Sequence, residues 1–300
     1  MAALGLGLVA IATPASAGSI SSGALTLTME DSPFFVKGAQ ETLTNICGEG
    51  WQPYEGGLVR QQLSATSPYG IASWDVGSNY NYSGPGPWTH YAQSTRPVII
   101  YPRDNYDDSC GGGVHNGQGV IVRVTDKHGN VAELAEMASM YFVRWDSTAA
   151  DGNVILGTFG FGSAWAANNQ CALCDNGSTI YTKKPGASAV FTLSSDWTNL
   201  GPGGGPTPTR AHLGLVMTEG PGHGAVKVYL DGVFKATIDT YSKTWKYRTY
   251  VYDFAVPTAG AHTVKLVNVG TKGRPRIDVQ GMGIIEGGTY VPSCDFDTCS

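Results

Sequence analysis

The residues from Ala225 to Ile285 constrain the fold most, because short runs of alternating apolar and polar residues follow one another between turn-forming pairs. Val226, Val228 and Leu230 alternate with polar neighbours and lead into Asp231-Gly232. Alternation with a period of two is typical of a half-buried strand, and an Asp-Gly pair between two such runs predicts a two-residue hairpin turn. The stretch therefore predicts four or five short strands of a β-sandwich.

The overall composition also favours strands and turns, and it excludes several classes of partner. Charged residues make up 14% of the 300 residues, against about 25% in ordinary globular proteins, while glycine reaches 41 residues. The formal net charge is −5, and basic clusters do not exceed short pairs such as Lys183-Lys184. The sequence therefore predicts no nucleic-acid partner and no binding to an anionic membrane surface.

Residues 1–17 form an apolar segment that is typical of a signal peptide. The segment ends in Ala15-Ser16-Ala17, a small-x-small sequence like a signal-peptidase site, so we expect a secreted mature chain that begins at Gly18. A membrane anchor is the alternative, but the apolar run is shorter than the roughly 20 residues that span a bilayer. No membrane span is predicted in the mature chain.

Six cysteines in an exported chain favour disulfides. Two pairs are close enough in sequence to close local loops, and the remaining two cysteines are spaced like a disulfide across a sandwich. A redox or zinc role for the C-x-x-C sequence is the alternative, but that sequence lies among turn formers and has no second C-x-x-C. The predicted pairs are Cys171–Cys174, Cys294–Cys299 and Cys47–Cys110.

The sequence predicts an all-β protein with two tandem β-sandwich domains of jelly-roll or Ig-like type after the signal peptide. A change in composition near residue 150 marks the boundary between them. Before the first domain, Leu25, Leu27 and Met29 alternate in an exposed leader and are expected to form an edge strand. The expected segments are a signal peptide at 1–17, a leader at 18–33, sandwiches at 34–148 and 153–287, and a cysteine-containing tail at 288–300.

The clearest strands of the first domain are expected at Val98–Tyr101, Val120–Thr125 and Met140–Trp145. Between the last two, Asp126–Asn130 has the composition of a hairpin turn. The sequence VRVTDKHGNVAEL around this turn resembles the late hairpin of fibronectin type III or immunoglobulin-like modules in secreted bacterial proteins. This resemblance implies an Ig-like sandwich.

Turn and strand residues recur through the second domain and include Trp165, Tyr181, Val190–Leu193, Leu215–Met217, Gly220-Pro221-Gly222, Val228–Gly232, Thr237–Tyr241, Arg248, Gly260–Thr263 and Gly270–Asp278. In these residues the domain resembles the galactose-binding-like β-sandwich modules that accompany secreted bacterial, especially actinobacterial, enzymes and wall proteins. The resemblance implies a sandwich fold and carbohydrate binding, and it includes no shared catalytic centre. The Gly/Pro-rich insertion from Asp196 to Thr209 departs from the pattern.

Two groups of aromatic residues are candidate ligand-binding surfaces, because Tyr and Trp rings stack on the C–H faces of sugars. One lies in the Gly- and Pro-rich loop from Asn79 to Tyr91, for which the alternative is a loop folded over its own aromatic residues. In the other, basic residues are interleaved, and packing is the alternative role for neighbouring Tyr241. The candidates are Tyr80, Tyr82, Trp88 and Tyr91 in the first group, and Trp245, Tyr247 and Arg248 in the second.

Asp104, Asp107 and Asp108 lie within a short oxygen-rich segment of the kind that holds Ca²⁺. A solvated acidic turn is the alternative, because the segment lacks the glycine and the distal glutamate of an EF-hand. No other cofactor is indicated.

Sequence signatures of hydrolases and phosphate loops are absent, including H-E-x-x-H, G-x-S-x-G and S-x-x-K. We therefore expect a secreted, non-catalytic protein that binds a polysaccharide or cell-wall glycan. The first alternative is a structural or protein-interaction component of an extracellular assembly, with extracellular proteins as partners. The second is a hydrolase whose catalytic carboxylates meet only in space.

Overall fold

The computed structural model describes residues 17–30, 34–40, 42–44, 54–79, 89–91, 99–104, 119–147, 156–174, 177–194, 210–256 and 260–290. These residues form β-strands and turns, which confirms the all-β prediction. Within these ranges, no helix is long and apolar enough to cross a membrane. Three predicted segments lie outside the described residues: the signal peptide up to residue 16, the Asp196–Thr209 insertion and most of the cysteine-containing tail.

The strands of the N-terminal half run up to residue 144. They are β1 (Ala17–Ser22), β2 (Leu25–Glu30), β3 (Phe34–Phe35), β4 (Thr42–Thr44), β5 (Tyr54–Gln61), β6 (Leu63–Thr66), β7 (Ile71–Asn79), β8 (Thr89–Tyr91), β9 (Ile99–Asp104), β10 (Gly119–Asp126) and β11 (Val131–Arg144). The last three confirm the strands expected near residues 98–101, 120–125 and 140–145.

The strands of the C-terminal half begin at residue 157. They are β12 (Gly157–Phe161), β13 (Ala166–Asn168), β14 (Thr179–Thr182), β15 (Ser188–Leu193), β16 (Arg210–Glu219), β17 (Ala225–Leu230), β18 (Val233–Asp239), β19 (Lys246–Val256), β20 (His262–Asn268) and β21 (Ile277–Tyr290). The last five confirm the strands predicted from Ala225 to Ile285.

The described strands form four antiparallel sheets. Their orders are β1-β2-β6, β3-β5-β4 with β9 added on β5, β12-β15-β20-β17-β18, and β13-β14-β21-β11-β10-β7-β8 with β16 and β19 added through β21.

The largest sheet contains strands from both halves of the sequence. Residues 135–144 of β11 pair with residues 281–290 of β21 in one uninterrupted antiparallel ladder. The sandwiches predicted at 34–148 and 153–287 therefore share a sheet. The placing of a domain boundary between them stays a prediction.

The larger core lies between the nine-stranded and the five-stranded sheets. Alternate residues Leu213, Leu215 and Met217 of β16 face this core, as do Met282 and Ile284 of β21. The opposing sheet contributes buried side chains such as Phe191, Val226, Val228 and Leu266. This is the face-to-face packing that defines a β-sandwich.

The opposite face of the same sheet is also covered. Phe35 of β3 stacks on Tyr250 of β19 with 4.4 Å between ring centroids and 15° between ring planes. The two rings lie over Gly214 and Gly283, which are register partners on β16 and β21. A Cβ atom on Gly283 would lie 2.6 Å from Phe35 Cζ and 2.9 Å from Tyr250 Cε1. Close approach of the rings therefore requires glycine at this position.

The N-terminal core corrects one expectation. Leu25, Leu27 and Met29 are fully buried against β6, β7, β10 and β11, and β2 lies between β1 and β6. The prediction of an edge strand in an exposed leader was therefore wrong. The physical reason is the β1–β2 hairpin, whose Gly23 has a φ of 59° and lets β1 cover the outer edge of β2.

Both predicted hairpin turns are confirmed. Asp231 and Gly232 have φ values of 50° and 78°, as a two-residue turn with the twist of the flanking strands requires. In the β10–β11 turn, the buried Asp126 carboxylate accepts hydrogen bonds from Ser67 Oγ at 2.8 Å and from the backbone N–H groups of His128 and Asn130 at 2.9 Å. Asp126 thus fastens its own turn to that between β6 and β7.

Replacing Gly283 by alanine is expected to destabilise the fold by about 1–3 kcal/mol, because the added methyl group must displace the Phe35–Tyr250 stack. Urea unfolding would measure the change. Gly222→Ala is the matched control, because its Cβ meets nothing within 4 Å. An equal effect of the two substitutions would contradict the packing explanation.

Asp126 should make the free energy of unfolding depend on pH in the acidic range. Desolvation by burial opposes ionisation of this carboxyl, but its hydrogen bonds prevail and lower its pKa to about 2 from an ordinary value of 3.8. A lowered folded-state pKa stabilises the fold above the unfolded value, and this contribution is lost as pH falls through 3.8 towards 2. In urea titrations, the stability advantage of the natural protein over Asp126→Asn should shrink across this interval. A constant difference would contradict this role.

Candidate functional site

A surface pocket with a cavity volume of about 340 Å³ opens beside the start of β19 and β21. One wall comes from the end of β13 and the loop that follows it, and the other wall comes from the segment that leads into β19. The lining residues are Asn168, Gln170, Cys171, Ala172, Leu173, Trp245, Tyr247, Arg276 and Asp278.

A disulfide shapes the loop wall. Cys171 and Cys174 are bonded, which confirms the local loop predicted from their spacing. The Cys171 N–H donates to the Gly177 carbonyl at 3.1 Å, and Gln280 Nε2 lies 3.2 Å from Cys174 Sγ. The turn closed by these contacts places Leu173 on the rim, with 62% of its surface exposed.

The opposite wall is aromatic. Trp245 is 50% exposed, and its ring lies nearly parallel to that of Tyr247, with 5.8 Å between centroids and 9° between planes. The buried His223 ring meets Trp245 nearly at right angles, at 5.1 Å. A Cβ on Gly220 would lie 3.0 Å from Trp245 Cε3, so a glycine lets the indole settle against the sheet. The result is a supported aromatic platform with an exposed surface.

A β-bulge sets the direction of this wall. Met217 pairs with Thr249 and Glu219 pairs with Lys246, so β19 has two residues, Tyr247 and Arg248, opposite the single residue between them on β16. Bulges re-aim side chains and frequently occur next to binding sites. The extra residue accommodates the left-handed backbone of Arg248, whose φ is 53°.

The polar side of the pocket contains a buried ion pair. Arg276 donates to the Asp278 carboxylate through Nε at 2.6 Å and through Nη2 at 2.7 Å. Asp278 is only 2% exposed, and Arg276 lies 4.3 Å above the Tyr181 ring centroid. The hydrogen bonds to Asp278 raise the pKa of the Arg276 guanidinium, while desolvation has the opposite effect. His223 Nε2 lies 3.2 Å from Asp278 Oδ1 but off the direction of a hydrogen bond.

The pocket therefore combines a flat apolar surface with donors and acceptors. The amide side chains of Asn168 and Gln170 and the Arg276–Asp278 pair supply polar groups in the cavity that Trp245 also lines. A ring with an apolar face and hydroxyl groups at its edge fits such a surface, because stacking and hydrogen bonding act on different parts of the ring.

Two of the predicted ligand-binding residues, Trp245 and Tyr247, come together in this pocket. Arg248 shares the bulge with Tyr247 and does not line the cavity. The other aromatic candidates, Tyr80, Tyr82 and Trp88, lie outside the described residues, and Tyr91 belongs to β8 without a described side chain.

The predicted Ca²⁺ segment is mostly outside the described residues. Asp104 ends β9 and its side chain is not described, while Asp107 and Asp108 lie beyond that strand. In the described ranges, no group of three or more His, Cys, Asp or Glu side chains is placed to hold a metal. The other cysteines, Cys47, Cys110, Cys294 and Cys299, also lie outside these ranges.

Sequence reasoning missed the polar residues of the pocket. Arg276 and Asp278 lie in the segment Gly270–Asp278 that carries the resemblance to galactose-binding-like modules, and neither was predicted to bind a ligand. Their i, i+2 spacing at the start of a predicted strand places both side chains on one face, and this signal was available. Asn168 and Gln170 gave no comparable signal, because only the folded loop brings them to Trp245.

No protein-family model matches the sequence, and no curated protein matches it. Solved structures with similarity to the chain include the CBM36-1 domain of a multidomain xylanase from the hindgut metagenome of Trinervitermes trinervoides, with 11% identity and a TM-score of 0.26 over 49% of this chain and 96% of that chain. A family 35 carbohydrate binding module from an environmental isolate is 17% identical, with a TM-score of 0.25 over 46% of this chain and 98% of that chain.

A third similar structure is the catalytic domain of GH87 alpha-1,3-glucanase in complex with nigerose. It is 14% identical, with a TM-score of 0.29, and the match covers 52% of this chain and 29% of that chain. These identities and TM-scores are too low to carry an argument about function.

The Arg276–Asp278 pair should be more important for stability than a similar pair on the surface. Asp278→Ala leaves Arg276 without its partner in a partly buried site and should cost about 3 kcal/mol. The matched control is Asp239→Ala, which breaks a bidentate pair with Arg274 but removes a carboxylate that is 53% exposed, so it should cost less than about 1 kcal/mol. Urea unfolding of both variants measures the difference. Equal losses would contradict the burial explanation.

Proposed function

We propose that this protein binds a polysaccharide or cell-wall glycan in the pocket between Trp245 and the Cys171–Cys174 loop. The observation that supports it is the half-exposed Trp245 ring, which packs against His223 and Tyr247 and lines the same cavity as polar side chains. Leaving such a ring in water is unfavourable, and a sugar face removes it from water without requiring a deep cavity.

The size of the pocket supports a short segment of a chain as the occupant. Its volume of about 340 Å³ is near the lower end of the range for small-ligand pockets, roughly 300–1,000 Å³. The site is also open to solvent beside Leu173. A polymer can therefore place one unit over Trp245 while its neighbours continue along the surface.

We further propose that binding is not accompanied by hydrolysis. Glycoside hydrolysis generally requires two carboxyl groups on opposite sides of the scissile bond. Among the described residues that line the pocket there is one carboxylate, Asp278, and Arg276 and His223 already contact it. The role of the Cys171–Cys174 disulfide in the wall supports an oxidising, extracellular location.

Trp245→Ala should weaken binding to the preferred polysaccharide at least tenfold, which corresponds to about 1.4 kcal/mol or more, because the stacking surface is lost. Retention of the protein on a panel of insoluble polysaccharides and cell walls, followed by titration with the polymer that retains it, measures the effect. Phe234→Ala is the matched control, since Phe234 is an equally exposed aromatic residue on the β17–β18 hairpin.

The soluble fraction of each retention assay should also be analysed for released sugars. Retention without products, lost in Trp245→Ala and kept in Phe234→Ala, is the expected result. Equal binding by both variants would place the ligand elsewhere. Release of sugars would instead favour a hydrolase, and absence of retention on every polymer would favour a structural or protein-interaction role.

A further inference from the structure

Arg248 is the least satisfied charged side chain near the pocket. Its Nε and Nη1 atoms are buried and have no hydrogen-bond partner. A guanidinium stays protonated in proteins, so burial does not neutralise it. Burying part of a charge without a partner costs free energy, which an anion at this position would recover.

The backbone of Arg248 is also strained. Its φ of 53° lies in the left-handed region, and Asp231 is the other described non-glycine residue with a positive φ. Asp231 is explained by its hairpin turn, where Asp is common. At Arg248 the bulge accommodates the left-handed backbone, but glycine would adopt it with less strain, so the bulge does not explain the presence of arginine. Strain of this kind is found where a side chain is held for binding.

The nearby acidic side chains are already engaged by other groups. Glu219 pairs with Lys246 at 3.0 Å, and Asp278 pairs with Arg276. Asp253, further along β19, contacts His212 at 2.8 Å and accepts the Phe35 N–H. These carboxylates are therefore not free to pair with Arg248. We expect its anionic partner to come from outside the described part of the chain.

We propose that Arg248 binds an oxyanion of the ligand, a carboxylate or a phosphate, so that the polymer recognised by this protein is acidic. Arg248 follows Tyr247 directly in the chain and shares its bulge, so its Cα lies about 3.8 Å from that of a residue that lines the pocket. The Arg248 side chain is only partly buried, so part of it is open to an anionic group of the polymer. The identity of the ligand as a polysaccharide rests on the proposed function, whereas the anion site itself does not.

The first test uses small anions and no polysaccharide. The thermal midpoint of the full chain is measured in chloride, acetate and phosphate at equal ionic strength. Acetate or phosphate should raise the midpoint in a concentration-dependent way, because an anion that binds only the folded state stabilises it by mass action. The response should disappear in Arg248→Gln. Lys243→Gln is the matched control, since it removes one positive charge from an exposed side chain in the same segment.

Arg248→Gly distinguishes a binding role from a structural one. This variant removes the left-handed strain and the unpartnered charge, so in chloride it should be as stable as the natural protein or more stable. Acetate or phosphate should raise the thermal midpoint of the natural protein more than that of this variant. A variant that is less stable in chloride, together with a natural protein that does not respond to either anion, would overturn the proposal and assign Arg248 a partner within its own chain.

The two anions separate the sources of the group. A larger response to acetate indicates a carboxylated polymer, and a larger response to phosphate indicates a phosphodiester polymer. The polysaccharide titration then uses the same variants, with a tenfold or greater loss expected for Arg248→Gln on the acidic polymer. If Trp245→Ala binds normally while the anion response persists, the proposed pocket fails and the anion site stands. If no anion stabilises the natural protein, the anion site fails and the pocket stands.

Discussion

The backbone ladder between β11 and β21 holds the N-terminal and C-terminal strands in one sheet, and the other layers are built on it. β21 also pairs with β14 and β16, so its backbone carries three sets of interstrand hydrogen bonds along fourteen residues. Over the C-terminal part of this strand, packed layers cover both of its faces. Its alternate residues accordingly enter two different cores, with Met282 and Ile284 in one and Ile285 in the other.

The same strand links the core to the proposed binding site. Near the beginning of β21, Asp278 contacts Arg276, which lines the pocket. Gln280 contacts Cys174, which is bonded to the lining residue Cys171. The positions of the polar groups therefore depend on a strand that is fixed by most of the sheet. The exposed elements, Leu173 and Trp245, are attached to this frame by a disulfide-closed turn and by an aromatic stack. This arrangement gives a rigid polar side and a rim that faces solvent.

Local sequence signals predicted the local parts of this structure. The Asp231-Gly232 turn and the alternation before it depend on neighbouring residues, and the structure has both. The central position of β2 depends instead on which strands flank it, and Leu25 to Met29 have the same alternation in an edge or a central strand. Only some of the pocket residues could be predicted, because the others depend on pairings between distant strands. Trp245 and Tyr247 stand out by residue type, whereas Asn168 and Gln170 reach them only through pairings between distant strands.

The bulge in β19 has a consequence for how this surface can change during evolution. Deleting one of its two residues would leave Lys246 opposite Glu219 and Thr249 opposite Met217, so both flanking ladders and both cores would keep their register. The direction of the side chains at the bulge would nevertheless change. The loss or gain of a single codon at this point can therefore change the recognition surface while the sheet beneath it stays the same. The fold can then be conserved while the ligand specificity changes.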